Sequence, residues 1–316
     1  MVAENINGHD LEKLLYACKV EQQVLKDIDQ KLNQSGIYYR SFARIKNPYS
    51  LAKKLRRKDK QYQKEGKRLQ DLIGVRIVLY YKDDINFCRA LIKEWYDLRE
   101  DDSAEDHPTE TMFCPTRMNL VCTLPERYAA QFSQTLFQEY RIDKTFEIQL
   151  RTILSEGWHE VEHDVRYKYI DEWQQDDIYK GFGRELNGVV ATLEVCDNSM
   201  LNILDRLTYK CYKGGKLEEM LRYKFRIHFT SDKVSDDLMK LVDQDIRKKI
   251  YRIDREAVLI CISANLLPAL ALTMDNVIYV CNELFIHDER IAENMPMLVR
   301  EYMDSYRQGR LSCEEI

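Results

Sequence analysis

The 316-residue sequence contains no CxxC pair, although it has nine cysteines. Scattered and odd in number, they argue against a disulfide framework and a cysteine-based zinc site, and for reduced thiols. Long uninterrupted apolar runs are also missing. The longest, around 257–272, is broken by Ser263, Asn265 and Pro268, so it reads as core rather than as a membrane span. The N-terminal residues, MVAENINGHDLEK, lack the basic-then-apolar pattern of a secretory signal. A soluble, cytoplasmic protein is therefore expected. Net positive charge is absent too: 48 Lys and Arg stand against 53 Asp and Glu, giving −5. That balance argues against a dedicated nucleic-acid binder, although a local basic patch can still serve one. No internal repeat and no low-complexity tract is visible.

What is present can build a core. Hydrophobic residues make up 45% of the chain and aromatics 10%, and the length suits two domains. The most informative stretch is Thr145–Thr152. There Phe146, Ile148 and Leu150 alternate with Glu147, Gln149 and Arg151, the period-2 pattern of a half-buried strand. One face packs inward, and the other carries an acid, an amide and a guanidinium in a row. Such a row suits a surface hairpin, or a metal-dependent nucleotidyl or pyrophosphoryl transfer site. Upstream, Asn47-Pro48 predicts an N-cap and first-turn proline, with Leu51 and Leu55 on the buried side of the helix. Ser50, Lys54 and Arg57 share another face. Residues 53–68 hold nine basic residues against two acidic ones, a pattern that by itself usually marks a solvated helix face.

Asp71 leads into Leu72–Tyr80, an apolar run that predicts a buried strand, with Arg76 inside it. Helices are expected over about 9–33, ending before Ser35-Gly36, over 84–95, and through 177–210. Leu154, Trp158, Val161 and Val165 define one stripe of a helix after the strand at 145–151. Strands are expected at 118–124 and 145–151. Beyond Gly214-Gly215, two apolar runs (257–263 and 276–286) read as strands and two segments (235–250 and 291–306) as helices. The expected division is therefore 1–215 and 216–316, the second part a smaller α+β region of unassigned role.

Four blocks, taken in order, resemble the RelA/SpoT-type alarmone synthetase domain, especially the small single-domain synthetases. Arg44-Ile-Lys46-Asn-Pro-Tyr-Ser50-Leu-Ala-Lys-Lys54 resembles the ATP-binding segment, and Asp71-Leu-Ile-Gly-Val-Arg76 the aspartate-led strand. Glu147-Ile-Gln149-Leu-Arg151-Thr152 and Glu162-His163-Asp164-Val-Arg-Tyr167-Lys168 resemble the other two signatures. The resemblance implies an α/β (α+β) nucleotidyltransferase-like fold: a mixed, partly antiparallel β-sheet flanked by helices. It also implies transfer of the β,γ-pyrophosphate of ATP to the 3′-hydroxyl of a guanine nucleotide, GDP or GTP. In that reading Asp71 and Glu147 hold Mg²⁺, and Glu147 also activates the attacking hydroxyl. Arg44, Lys46, Ser50, Lys54 and Arg76 hold ATP, while Gln149, Arg151 and His163 lie on the acceptor side. The chemistry agrees, because displacing AMP builds charge on phosphate oxygens that a cation and fixed basic groups stabilise. Arg76 has an alternative reading as a structural salt-bridge partner of Asp71 or Glu147.

The chain departs from the family at the acceptor loop. Where the family carries an Asn-Gly-Tyr loop ending in histidine, this sequence has 112–123 with no Gly-Tyr and with Asn119 in the histidine's place. Phe113 is a candidate stacking ring. The acceptor is thus open between a guanine nucleotide and the 3′ end of a tRNA, and a degenerate nucleotide-binding module or a homo-oligomer are further alternatives. His159-Glu160-Val-Glu162-His163 also matches the HExxH zinc signature. No third ligand is evident downstream, and the Glu162-His163 pair already belongs to the fourth signature.

Overall fold

The computed structural model describes residues 19–56, 68–106, 117–139, 142–165, 177–264 and 269–314. The Cys18, Cys114, Phe113, Arg57, Tyr167 and Lys168 positions, most of the basic segment 53–68 and the side chains of His163 and Cys313 lie outside the described residues. The chain divides into two compact units, Met1–Asp29 with Tyr39–Asp197, and Gln30–Tyr38 with Asn198–Ile316.

The first unit is built on a five-stranded mixed sheet of order β1-β2-β5-β4-β3. Its strands are β1 (Tyr39–Ile45), β2 (Ile73–Leu79), β3 (Ala104–Asp106), β4 (Arg117–Thr123) and β5 (Thr145–Thr152). β2 and β5 run parallel, and the other neighbours are antiparallel. Register places Ile73, Val75, Ile77, Phe146, Ile148 and Leu150 on one face, all at or below 1% exposure. Helix α3 (Asp84–Trp95) packs there, and Tyr96, just beyond it, meets Phe146 edge-on at 5.2 Å between ring centroids. The alternate residues point to the other face, so the period-2 pattern read from the sequence is realised.

Helix α1 (Val20–Ser35) buries Val20, Val24, Ile28 and Leu32 completely, an i, i+4 stripe. Leu25, expected in that stripe, is only half-buried. Gly36 ends the helix at φ +69°, a conformation costly for any residue with a Cβ. Helix α2 (Pro48–Arg56) starts as expected: the Asn47 side chain accepts from the backbone N–H groups of Tyr49 at 3.0 Å and Ser50 at 3.2 Å. Leu51, Ala52 and Leu55 are its buried face.

Two short helices, α4 (Glu126–Ala129) and α5 (Gln134–Glu139), lie between β4 and β5. Helix α6 (Ile153–Val165) follows β5 and crosses the polar face of the sheet. Its expected apolar stripe is buried only in part: Trp158 is buried, with Ser155 beside it, whereas Leu154 is half-buried and Val161 is 52% exposed. The cause is the polarity of the surface beneath, which takes Ser155 and Glu156 rather than an aliphatic row. Thr152 and Ser155 fix the entry, each side-chain oxygen accepting the other residue's backbone N–H at 3.1 and 3.0 Å.

The long helix α7 (Asp177–Lys213) ends at Gly214-Gly215, with Gly215 at φ +72°. The remaining elements of the second unit are α8 (Leu217–Phe225), α9 (Asp236–Leu241), α10 (Gln244–Arg252), α11 (Arg255–Ile262), α12 (Met274–Cys281), α13 (Glu289–Glu293) and α14 (Met297–Glu314). The expected C-terminal α+β character is corrected here: both apolar runs read as strands are helical. Residues 257–262 lie in α11, and 276–286 lie in α12 and a π-helical turn, Asn282–Ile286. Val258, Leu259, Val277, Ile278, Val280 and Cys281 are fully buried. A short helix buried nearly all round has no polar face, so its sequence shows a continuous apolar run and loses the 3.6 period. The helices expected at 235–250 and 291–306 are each divided, at Val242-Asp243 and around Pro296. Asp243 caps α10 through the N–H groups of Asp245 and Ile246, which is why one helix becomes two.

Among the described residues, Cys88, Cys122, Cys196, Cys211, Cys261 and Cys281 are free thiols. No helix of the described residues is long and apolar enough to cross a membrane.

Candidate functional site

A cavity of about 780 Å³ opens on the polar face of the sheet, between β1, α2 and the ends of β2 and β5. Its size falls in the range of small-molecule sites, ~300–1,000 Å³. Strand register builds its floor in two rows. Arg44, Gly74 and Glu147 stand side by side across β1, β2 and β5. The next row is Phe42, Arg76, Gln149 and, on β4, Asn119. Gly74 leaves the space between Arg44 and Glu147 open; a Cβ there would just reach the Arg44 side chain at 4.0 Å.

The chain after β1 brings cations to one wall. Lys46 is held by its backbone N–H donating to Leu72 O at 2.9 Å, which ties the start of α2 to the residue after Asp71. Ser50 and Lys54, one turn apart on α2, line the same wall. The Asp71 carboxylate accepts from Lys46 Nζ at 2.5 Å and from Lys54 Nζ at 2.8 and 3.0 Å. Burial opposes the charge on Asp71, yet the two ammonium groups outweigh it and hold the carboxyl below its usual range.

Glu147 behaves in the opposite way. Burial, with the negative charge of Asp71 added, pushes its carboxyl above the usual range, and a hydrogen bond from Gln149 partly offsets this. Gln149 Nε2 donates to Glu147 Oε2 at 3.1 Å. The two carboxylates thus face one cavity, one covered by cations and the other not. Among the described residues no group of three or more His, Cys, Asp or Glu forms a metal cage. Two carboxylates beside a phosphate-sized space fit instead a hard cation that completes its shell from phosphate oxygens and water.

Of the residues singled out in the sequence, Arg44, Lys46, Ser50, Lys54, Asp71, Arg76, Glu147 and Gln149 line this one cavity. Arg151 does not: it is 3% exposed and its guanidinium donates to Glu156 Oε2 at 3.2 Å and to Gln149 Oε1 at 3.3 Å. Arg76 is engaged more than expected. Its partners are Glu156 and Glu160 on α6, and its Nε donates to Gln149 Oε1 at 3.3 Å. Neither Asp71 nor Glu147 is among these partners, so the salt-bridge alternative takes different acids.

Glu156, Glu160 and the exposed ring of Phe42 were not legible as site residues. A signal existed for the first two, since positions 156 and 160 share a helix face. His159 Nδ1 lies 3.7 Å from the Glu162 carboxylate.

Residues 43–172 match the family profile described as the region found in RelA / SpoT proteins. No curated protein matches the chain. Among solved structures, small alarmone synthetase 1 from Bacillus subtilis is 20% identical with a TM-score of 0.43, over 61% of this chain and 95% of that one. Small alarmone synthetase 2 from the same organism is 22% identical with a TM-score of 0.42, over 62% and 96%. A GTP pyrophosphokinase family protein from Streptococcus pneumoniae is 20% identical with a TM-score of 0.44, over 67% and 97%.

Proposed function

We propose that the RelA/SpoT-type region carried by this chain is a Mg²⁺-dependent pyrophosphoryl transferase that moves the β,γ-pyrophosphate of ATP to the 3′-hydroxyl of a guanine nucleotide. One observation carries the reading: Glu147, which accepts from the Gln149 amide, and the Lys46–Asp71–Lys54 cluster face the same cavity. The triphosphate would exchange with Asp71 for the two lysines, while Arg44 and Ser50 hold its far end. Arg44 also offers a planar guanidinium for stacking on adenine.

Mg²⁺, held by Asp71 and Glu147, would supply charge neutralisation on the phosphate oxygens. The remaining work falls to the chain. The acceptor oxygen attacks the β-phosphorus, the bond between that phosphorus and the bridging oxygen breaks, and AMP leaves with the oxygen. The hydroxyl proton passes to Glu147. Beside the cation the carboxylate would keep a low pKa and would work as a positioned proton acceptor.

The test is transfer of label from γ-³²P-ATP with Mg²⁺, offering GDP, GTP, ATP and deacylated tRNA separately, with Glu147→Gln as the blank. Label on a guanine nucleotide, reduced by ~10²–10⁴-fold in Glu147→Gln, is the expected result. Label on tRNA would replace the acceptor assignment, and ATP binding without label on any acceptor would leave a binding module. Full turnover in Glu147→Gln would overturn the mechanism.

A further inference from the structure

We propose that Glu156 is a positioning residue that fixes the orientation of Glu147 through Arg76, Arg151 and Gln149. It deepens the reading proposed for Glu147 and rests on it. Glu156 does not line the cavity, and nothing in the sequence pattern assigned it a role.

The argument starts at the Gln149 carboxamide. Its Oε1 accepts from Arg76 Nε and Arg151 Nη2, both at 3.3 Å, and its Nε2 donates to Glu147 at 3.1 Å. A guanidinium has donors only, so the amide oxygen must face the two arginines. The amide is planar, so its NH₂ group must then face Glu147. The orientation follows from the chemistry of the neighbours and not from a choice between two look-alike atoms.

Two guanidinium groups converging on one oxygen repel each other and need a shared anion. Glu156 supplies it with one oxygen for each: Oε1 to Arg76 Nη1, and Oε2 to Arg151 Nη1 at 3.2 Å. Its side chain is 14% exposed and that of Arg151 is 4%, so the bridge is shielded from solvent and salt. Glu160 also meets Arg76 Nη1, but it is 63% exposed, so that pair is screened by solvent where the Glu156 bridge is not. Removing the Glu156 charge should let the arginines separate, free the carboxamide to rotate and leave Glu147 without its fixed donor.

A tie between α6 and the sheet would also explain the contacts, so the test reads more than stability. Glu156→Gln, Gln149→Leu and the double variant are compared for kcat and for the KM of ATP. Glu156→Gln should lower kcat ~10- to 100-fold, with KM changed less than about threefold. In the Gln149→Leu background the same change should add less than about twofold. Independent, multiplying effects, or a raised KM with kcat intact, would overturn the proposal. If Glu156→Gln does not fold, Arg151→Lys takes its place, since it keeps the charge facing Glu156 and loses the second arm to Gln149.

A second readout needs no turnover: the ¹H–¹⁵N resonance of the Gln149 side-chain amide, assigned with Gln149→Leu. It should be shifted and slow to exchange in the wild type and move to the free-glutamine position in Glu156→Gln. An unmoved resonance would sink the proposal even in an active enzyme. A moved resonance in a protein that labels no acceptor would count against the transferase reading alone.

Discussion

The two compact units are built by different rules. In the second, several polar groups are settled by local capping: Asp243, Asp254, Thr273 and Asp288 each accept from backbone N–H groups at a helix start, and the interior is mostly apolar. In the first, one face of the sheet carries partly buried charges that meet only through tertiary contacts, at Lys46–Asp71–Lys54 and Arg76–Glu156–Arg151. Charges in such places contribute little to net stability, because desolvation offsets their attraction. Their arrangement around a cavity is therefore better explained by a ligand than by folding.

Substitutions can break or sharpen that contrast. The largest expected effect is at Asp71. Asp71→Asn should lower transfer at least ~100-fold and raise the Mg²⁺ concentration needed, by loss of the proposed metal ligand. ATP binding measured without Mg²⁺ should hold or tighten, since both lysines lose their anion. Weaker metal-free binding would mean that Asp71 orients the lysines for the triphosphate.

Gly36→Ala should act on stability alone. The added Cβ would run into Leu272 Cδ1 and come within 3.3 Å of Ile227 Cβ, at a left-handed φ. A loss of ~2 kcal/mol is expected, read as a lower urea midpoint with unchanged slope. An unshifted midpoint would show that this turn is not fixed as described.

A smaller effect is expected at Asp197, in the first unit, where Thr152 Oγ1 donates to its carboxylate at 2.8 Å. Burial, and to a lesser degree Glu194, raise its carboxyl above the usual range, only partly offset by Thr152 and Lys82. The folded state therefore holds the proton more tightly than the unfolded one. The stability this contributes is fully present below the ordinary carboxyl range and is lost as pH rises through the raised value. Asp197→Asn keeps an acceptor for Thr152 and removes the loss. Its Tm should exceed that of the wild type by ~2 °C at pH 7 to 8, and the gap should close towards pH 4. A constant gap across that range would assign the difference to packing.

The smallest effect belongs to His159. His159→Ala should change transfer less than about twofold, and neither protein should carry zinc by elemental analysis. A stoichiometric zinc lost in the variant would restore the HExxH reading.

Much of the first unit was legible because strand alternation survives in sequence. Phe146, Ile148 and Leu150 had to share one face and Glu147, Gln149 and Arg151 the other, whatever the neighbours were. The Asn47 cap and the turns at Gly36 and Gly215 were legible for the same reason, being set by residues next to one another. The second unit was misread where burial is complete: α11 and α12 face protein on nearly every side, and an apolar run then carries no period. Helix α6 failed differently. Its inner face is polar because the sheet beneath it is polar, a fact about another strand.

By itself the sequence determined the secondary pattern of the sheet, the cap of α2 and which residue types stand at Asp71, Lys54 and Glu147, because covalent neighbours and side-chain periodicity decide these. Only the tertiary structure decided that Asp71 is covered by two lysines while Glu147 is not, and that Arg151 turns away from the cavity. It alone placed Glu156 between two arginines 80 and 5 residues away in the chain. Partner choice among charges depends on distances across strands and helices, and the order of residues along the chain does not contain those distances.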